Sequence, residues 1–146
     1  MENVRVYEIP KCKMISSRCG MFGDAAMDEF SSWMDTLPRT AFPRDFLWFD
    51  EERGGFVWYY MYHDGLAVPD TFEVVDFPGG LYAVACDVDG ESNEDAIDAI
   101  RRFIQDKDCF VEDTERKQLG NVITPPTVQK AMGYSQMEYY MPIKLV

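Results

Sequence analysis

Apolar and polar residues alternate with a period of two along most of this 146-residue chain, the pattern of half-buried strands. Val4-Arg5-Val6-Tyr7-Glu8-Ile9-Pro10 and Phe72-Glu73-Val74-Val75-Asp76-Phe77-Pro78 each read as an alternating strand that stops at an apolar–Pro step, which a central strand does not continue through. A second apolar strand follows each time, from Lys13 to Arg18 and from Leu81 to Val88, and runs to Gly20 or Gly90.

A helical period then takes over. The first helix is predicted from Asp24 to Leu37, with Ala26, Phe30, Trp33 and Leu37 inward and Pro38 ending it. The second is predicted from Glu94 to Gln105, with Ile97, Ile100, Phe103 and Ile104 inward, Ser92 capping and Asp95 in the first turn. The order strand, Pro, strand, Gly, helix thus recurs. It predicts one domain over residues 1–146, built from an internal repeat of roughly 1–62 and 71–144.

Phe46–Phe49 and Phe56–Tyr62 flank Glu51-Glu52-Arg53-Gly54-Gly55 as a hairpin would. Gly79-Gly80 reads as a second hairpin turn. A short strand over Cys109–Glu112 precedes a long irregular stretch through Pro125-Pro126, and the chain returns as a strand over 137–144. The fold class is α+β: duplicated ββα units, a largely antiparallel sheet with two helices on one face, and a ligand cleft on the other.

The last strand carries the chemistry. In Met137-Glu138-Tyr139-Tyr140-Met141-Pro142-Ile143-Lys144, alternation puts Glu138, Tyr140 and Pro142 on one face and Met137, Tyr139, Met141 and Ile143 on the other. A carboxylate on so apolar a strand is costly to cover unless something satisfies it. Either its face is wet or it lines a cavity that receives a donor or a cation. Aromatic walls are at hand: residues 56, 58, 60 and 62 share a face and are all aromatic, and Trp48 sits on the partner strand. Singly, each such ring is more often core than ligand contact. Together with a carboxylate they are how proteins hold flat organic cations. The expected arrangement has Trp58 and Tyr60 facing the ligand while Val57, Tyr59 and Met61 pack under the helices.

Composition narrows the classes. A net charge of −12, from 26 acids against 14 bases, argues against direct nucleic-acid binding and against anionic membranes. No apolar run approaches a bilayer span, and the N-terminus lacks a signal pattern, so a cytoplasmic protein is expected. Cys12, Cys19, Cys86 and Cys109 form no CxxC pair and read as reduced thiols. His63, the single histidine, reads as surface rather than as a catalytic partner or haem ligand. The glycine in Asp87-Val88-Asp89-Gly90-Glu91 is misplaced for a calcium loop. No cofactor or metal is expected.

Phe77-Pro78-Gly79-Gly80-Leu81-Tyr82-Ala83-Val84 leading to Gly90, the helix after it, and the closing Glu138-Tyr139-Tyr140-Met141-Pro142-Ile143 resemble the GyrI-like small-molecule-binding family. That family also occurs as the effector-binding domain of AraC- and MerR-type regulators. The opening strand ending in Ile9-Pro10 fits too, so the resemblance spans nearly the whole chain. It implies a duplicated ββα fold and a pocket for lipophilic, often cationic, compounds with an acid deep inside, a position matched here by Glu138. In the family, one relative inhibits DNA gyrase, a subgroup hydrolyses cyclopropane-bearing alkylators in an aromatic cage, and haem-binding proteins share the architecture. The family's usual His-Gly step before the second helix is Asp89-Gly90 here. A helix-turn-helix segment is absent from this sequence, so it is expected to stand alone or to work with a separate DNA-binding regulator.

The expected function is binding of a lipophilic, cationic aromatic molecule, as sensor or sequestering protein. Glu138 would neutralise the ligand while Tyr140, Trp48, Trp58 and Tyr60 stack on it. Two alternatives stand beside it: a xenobiotic hydrolase using Glu138 and Tyr140, and an acidic interaction module acting on gyrase.

Overall fold

The computed structural model describes residues 3–146. Along the chain run β1 (Arg5–Ile9), β2 (Cys12–Ser16), α1 (Ala25–Asp35), β3 (Asp45–Asp50), β4 (Gly55–Met61), β5 (Glu73–Phe77), β6 (Gly80–Val88), α2 (Glu94–Lys107), β7 (Phe110–Glu112), β8 (Leu119–Val122), α3 (Pro126–Met132) and β9 (Gln136–Leu145). The architecture is α+β with antiparallel pairing, and the strand–strand–helix order recurs as the residue pattern predicts. The chain forms two compact units. One is Lys11–Pro78; the other joins the segment ending at Pro10 to Gly79–Val146.

Pro10 and Pro78 are therefore crossing points between units. β1 does not fold back on β2 but pairs with β6, from Arg5↔Val84 to Ile9↔Gly80. β5 pairs with β2, from Cys12↔Phe77 to Ser16↔Glu73. This corrects the hairpin expected at Gly79-Gly80: β5 and β6 lie in different units, and the glycines serve another purpose. Gly80 has φ +127°, and a Cβ there would sit 2.5 Å from Nη1 of Arg116. The Arg116 guanidinium donates to the carbonyls of Gly79 (3.1 Å), Leu81 (2.7 Å) and Ile143 (2.7 Å) and to Asp113 Oδ2 (2.9 Å). It also lies 4.8 Å over the Tyr82 ring. Gly80 makes room for this clasp. Gly54-Gly55, by contrast, does turn the β3–β4 hairpin.

In the Lys11–Pro78 unit the strand order is β3-β4-β2-β5. α1 buries Met27 and Phe30, and Phe30 joins Ile15, Tyr60 and Phe72 in a cluster flanked by Trp33, Met34 and Leu37. Ala26, expected inward, is exposed and Met27 takes its place. The larger side chain at the neighbouring position has more apolar area to remove from water.

In the other unit the order is β1-β6-β9-β8, with β7 on β9. α2 lies on Ala83, Ala85, Met141 and Ile143 through Ala96 and Ile100, with Ile97 and Ile104 alongside. Three alanines at this contact let the helix approach closely. Ser92 accepts from the Glu94 N–H at 3.2 Å, although the cap position itself is Asn93. The stretch expected to be irregular contains β8 and α3. Leu119-Gly120-Asn121-Val122 has little strand propensity, and its conformation comes from pairing with β9. Pro126 opens α3 and Gly133, at φ +83°, closes it.

Candidate functional site

The helix-free face of the unit that joins the segment ending at Pro10 to Gly79–Val146 is set by register. Tyr140 and Met141 on β9 oppose Val84 and Ala83 on β6, and Ala83 and Met141 belong to the core under α2. Glu138, Tyr140, Tyr82, Val84 and Cys86 therefore point away from α2. β1 adds Arg5 and Tyr7 to this face, opposite Val84 and Tyr82. β8 adds Leu119 and Asn121, opposite Tyr140 and Glu138. The faces of β9 are those predicted from alternation.

Glu138 is half-buried on this surface. Burial raises its carboxyl above the usual range, while the nearby Arg5 charge and a hydrogen bond from the Tyr7 hydroxyl pull the other way. Tyr140 follows two residues on along the same face, and its ring lies 6.0 Å from Tyr7 (tilted) and 6.0 Å from Tyr82 (edge-on). Burial and the neighbouring Glu138 and Asp87 also raise the Cys86 thiol, which makes it a poor nucleophile. The Asn121 side chain is 3% exposed, and its Oδ1 has no hydrogen-bond partner among the described residues.

A cleft of about 540 Å³ reaches this carboxylate from the edge of β6. β1 pairs with β6 only as far as Arg5↔Val84, which leaves the stretch from Ala85 onward without a β1 partner. Arg5, Cys86, Asp87, Ala99, Arg102 and Glu138 are among the residues that line the opening.

Of the predicted aromatic residues, Trp48, Trp58 and Tyr60 lie in the Lys11–Pro78 unit. Trp58 and Tyr60, expected to face a ligand, pack under α1 instead: Trp58 is 5.8 Å from Phe30 and Tyr60 is 5.7 Å from Trp33. Val57 and Tyr59 are not under the helix. Period-two alternation says which residues share a face but not which face the helix covers, and the whole assignment shifts by one. Trp58 Nε1 donates to Asp45 at 2.9 Å. Burial raises that carboxyl, opposed by the Trp58 bond. Trp48 opposes Val57, so it lies on the face away from α1, 5.9 Å from Tyr59, with Phe77 6.2 Å beyond.

Tyr140 is thus the predicted aromatic that shares Glu138's face, and Tyr7, Tyr82, Arg5 and Asn121 are additions. The alternation of 5–9 already grouped Arg5 with Tyr7. Their partner strand was not readable, because β1 pairs across more than seventy positions of chain.

No family model and no curated sequence matches this chain. Solved structures do. The EcmrR C-terminal domain is 13% identical with a TM-score of 0.63, covering 98% of each chain. A structure described as a hydrolase from Listeria innocua is 11% identical with a TM-score of 0.69, covering 98% of this chain and 93% of the other. SAV2435 bound to tetraphenylphosphonium is 12% identical with a TM-score of 0.54, covering 99% and 94%. The chain spans 57% of the length of EcmrR as seen in its DNA complex. The fold is the GyrI-like one that the sequence resemblance implied.

Proposed function

We propose that this chain binds a lipophilic organic cation on the helix-free face of β1, β6, β9 and β8. Glu138 supplies the counter-charge and Tyr7 and Tyr140 the aromatic side chains beside it. The observation that carries the reading is the half-buried Glu138 carboxyl, pushed up by burial, bonded by the Tyr7 hydroxyl and followed on the same face by Tyr140. Removing a carboxylate from water is costly, and a cation entering beside it recovers that cost through charge pairing and attraction to the ring faces. The exposed Arg5 is too well solvated to do this fully.

A structural neighbour that holds tetraphenylphosphonium supports the ligand class. The EcmrR–DNA complex supports a sensing role exercised through DNA-binding machinery outside this fold. The net charge of −12 raises the local concentration of cations and repels anions over the same surface.

Tetraphenylphosphonium and tetraphenylborate, near-equal in size and opposite in charge, test the reading by calorimetric titration. The cation is expected to bind in the micromolar range and the anion at least about a hundredfold more weakly, as a charge difference of ~3 kcal/mol requires. Equal binding, or tighter binding of the anion, would sink it.

A further inference from the structure

We infer that this site, if it holds cations as proposed above, selects those that carry at least two N–H groups, and that Asn121 is the residue that selects. Asn121 lies directly opposite Glu138 in the β8–β9 register. The Ile123 N–H donates to the Gln136 carbonyl at 2.9 Å. The Asn121–Glu138 pair, two residues along each strand, therefore belongs to the same hydrogen-bonded set, with Cα atoms about 5.5 Å apart. Both side chains leave the same face of the sheet. Asn121 is buried, and its Oδ1 has no partner among the described residues.

A buried acceptor without a donor is uncommon, because the desolvation cost stays unrecovered. The groups around it do not settle that cost. An ionised Glu138 accepts and cannot donate. The Tyr7 hydroxyl is already committed to Glu138. A ligand ammonium or amidinium can place one hydrogen on Glu138 and another on Asn121. A quaternary ammonium or phosphonium offers charge and apolar surface but no hydrogen, and leaves Oδ1 as it was. Both kinds of cation can enter, yet only the first satisfies the amide.

The probes are 1-naphthylmethylamine and its N-methyl, N,N-dimethyl and N,N,N-trimethyl derivatives, all cations at neutral pH. They are titrated calorimetrically into the wild-type chain, Asn121→Leu and Glu138→Gln, with thermal melts to confirm folding. In the wild type, affinity is expected to change little between the amine and its N-methyl derivative, which both carry at least two N–H groups. It then drops about five- to tenfold at the dimethyl compound, whose single N–H goes to Glu138 and leaves Asn121 without a donor. Asn121→Leu removes that drop and leaves the trimethyl compound nearly unaffected. Glu138→Gln weakens all four by a similar factor and keeps the drop.

A smooth wild-type series with no drop at the second methyl overturns the inference without any variant, so it stays testable even if Asn121→Leu does not fold. A drop at the dimethyl compound that survives in a folded Asn121→Leu overturns it too. If all four bind and Glu138→Gln weakens them equally, the cation site stands even when the selectivity fails. If none binds the wild type, the site reading falls and this inference with it.

Discussion

Glu138 is a carboxylate whose burial favours its proton, and that fixes the sign of its pH dependence. Its folded pKa lies above the unfolded value, so between the two the native state holds the proton that the unfolded chain has lost. The contribution is fully present below the unfolded pKa and disappears as pH rises through the folded one. Without ligand, Glu138→Gln is therefore expected to raise the melting temperature at pH 7, with the gap between variant and wild type closing toward pH 4. A gap that widens on acidification would mean that the carboxylate is stabilised by Arg5 and Tyr7 rather than strained by burial. Glu138 and Tyr140 could be picked out from the sequence because one strand's alternation suffices to place both. Tyr7, Tyr82 and Asn121 could not, since each joins the site through pairing with a distant strand. Asn121 also sits in a Leu-Gly-Asn-Val segment that carries no strand signature of its own.

At the scale of the element, β4 shows what a period can and cannot decide. Its alternation was visible, but the side covered by α1 was not, and the structure puts Trp58 rather than Tyr59 against Phe30. Trp58→Ala is accordingly expected to cost about 3–5 kcal/mol of stability, as other large-to-small core changes do. Tyr59→Ala should cost clearly less, and denaturant midpoints of the two variants decide it. Tyr59 unfolding the chain while Trp58 is tolerated would reverse the faces. The Arg116 clasp belongs at this scale as well. It ties the carbonyls of Leu81 and Ile143, directly paired residues of β6 and β9, to the loop before β8. Arg116→Ala is expected to cost about 3 kcal/mol, the value of charge-assisted bonds to carbonyls left without a donor. Arg116→Lys should recover little, because a point ammonium cannot fork to three carbonyls and a carboxylate. Full recovery with lysine in a denaturation series would show that charge alone holds the loop.

For the molecule as a whole, the duplication was legible because Pro10 and Pro78 punctuate two similar frames. How the frames interlock was not. A proline ends a strand without saying which strand lies beside it, and here each frame's first strand completes the unit that holds the other frame's second. This exchange brings Arg5 and Tyr7 from the start of the chain to Glu138 near its end. It also gives a convenient probe, since Trp33, Trp48 and Trp58 all lie within Lys11–Pro78. Tryptophan emission thus reports that unit, and a variant at Glu138 that leaves it unchanged has not disturbed the α1 core.

The most direct test of the cation site compares the wild-type chain with Glu138→Gln in a calorimetric titration with tetraphenylphosphonium at pH 7, with thermal melts confirming that both fold. Loss of the counter-charge in a partly desolvated site is expected to weaken binding by about 1–3 kcal/mol. Binding of undiminished strength in the glutamine variant would contradict the account, because the ligand would then be held without the carboxylate on which the site is built.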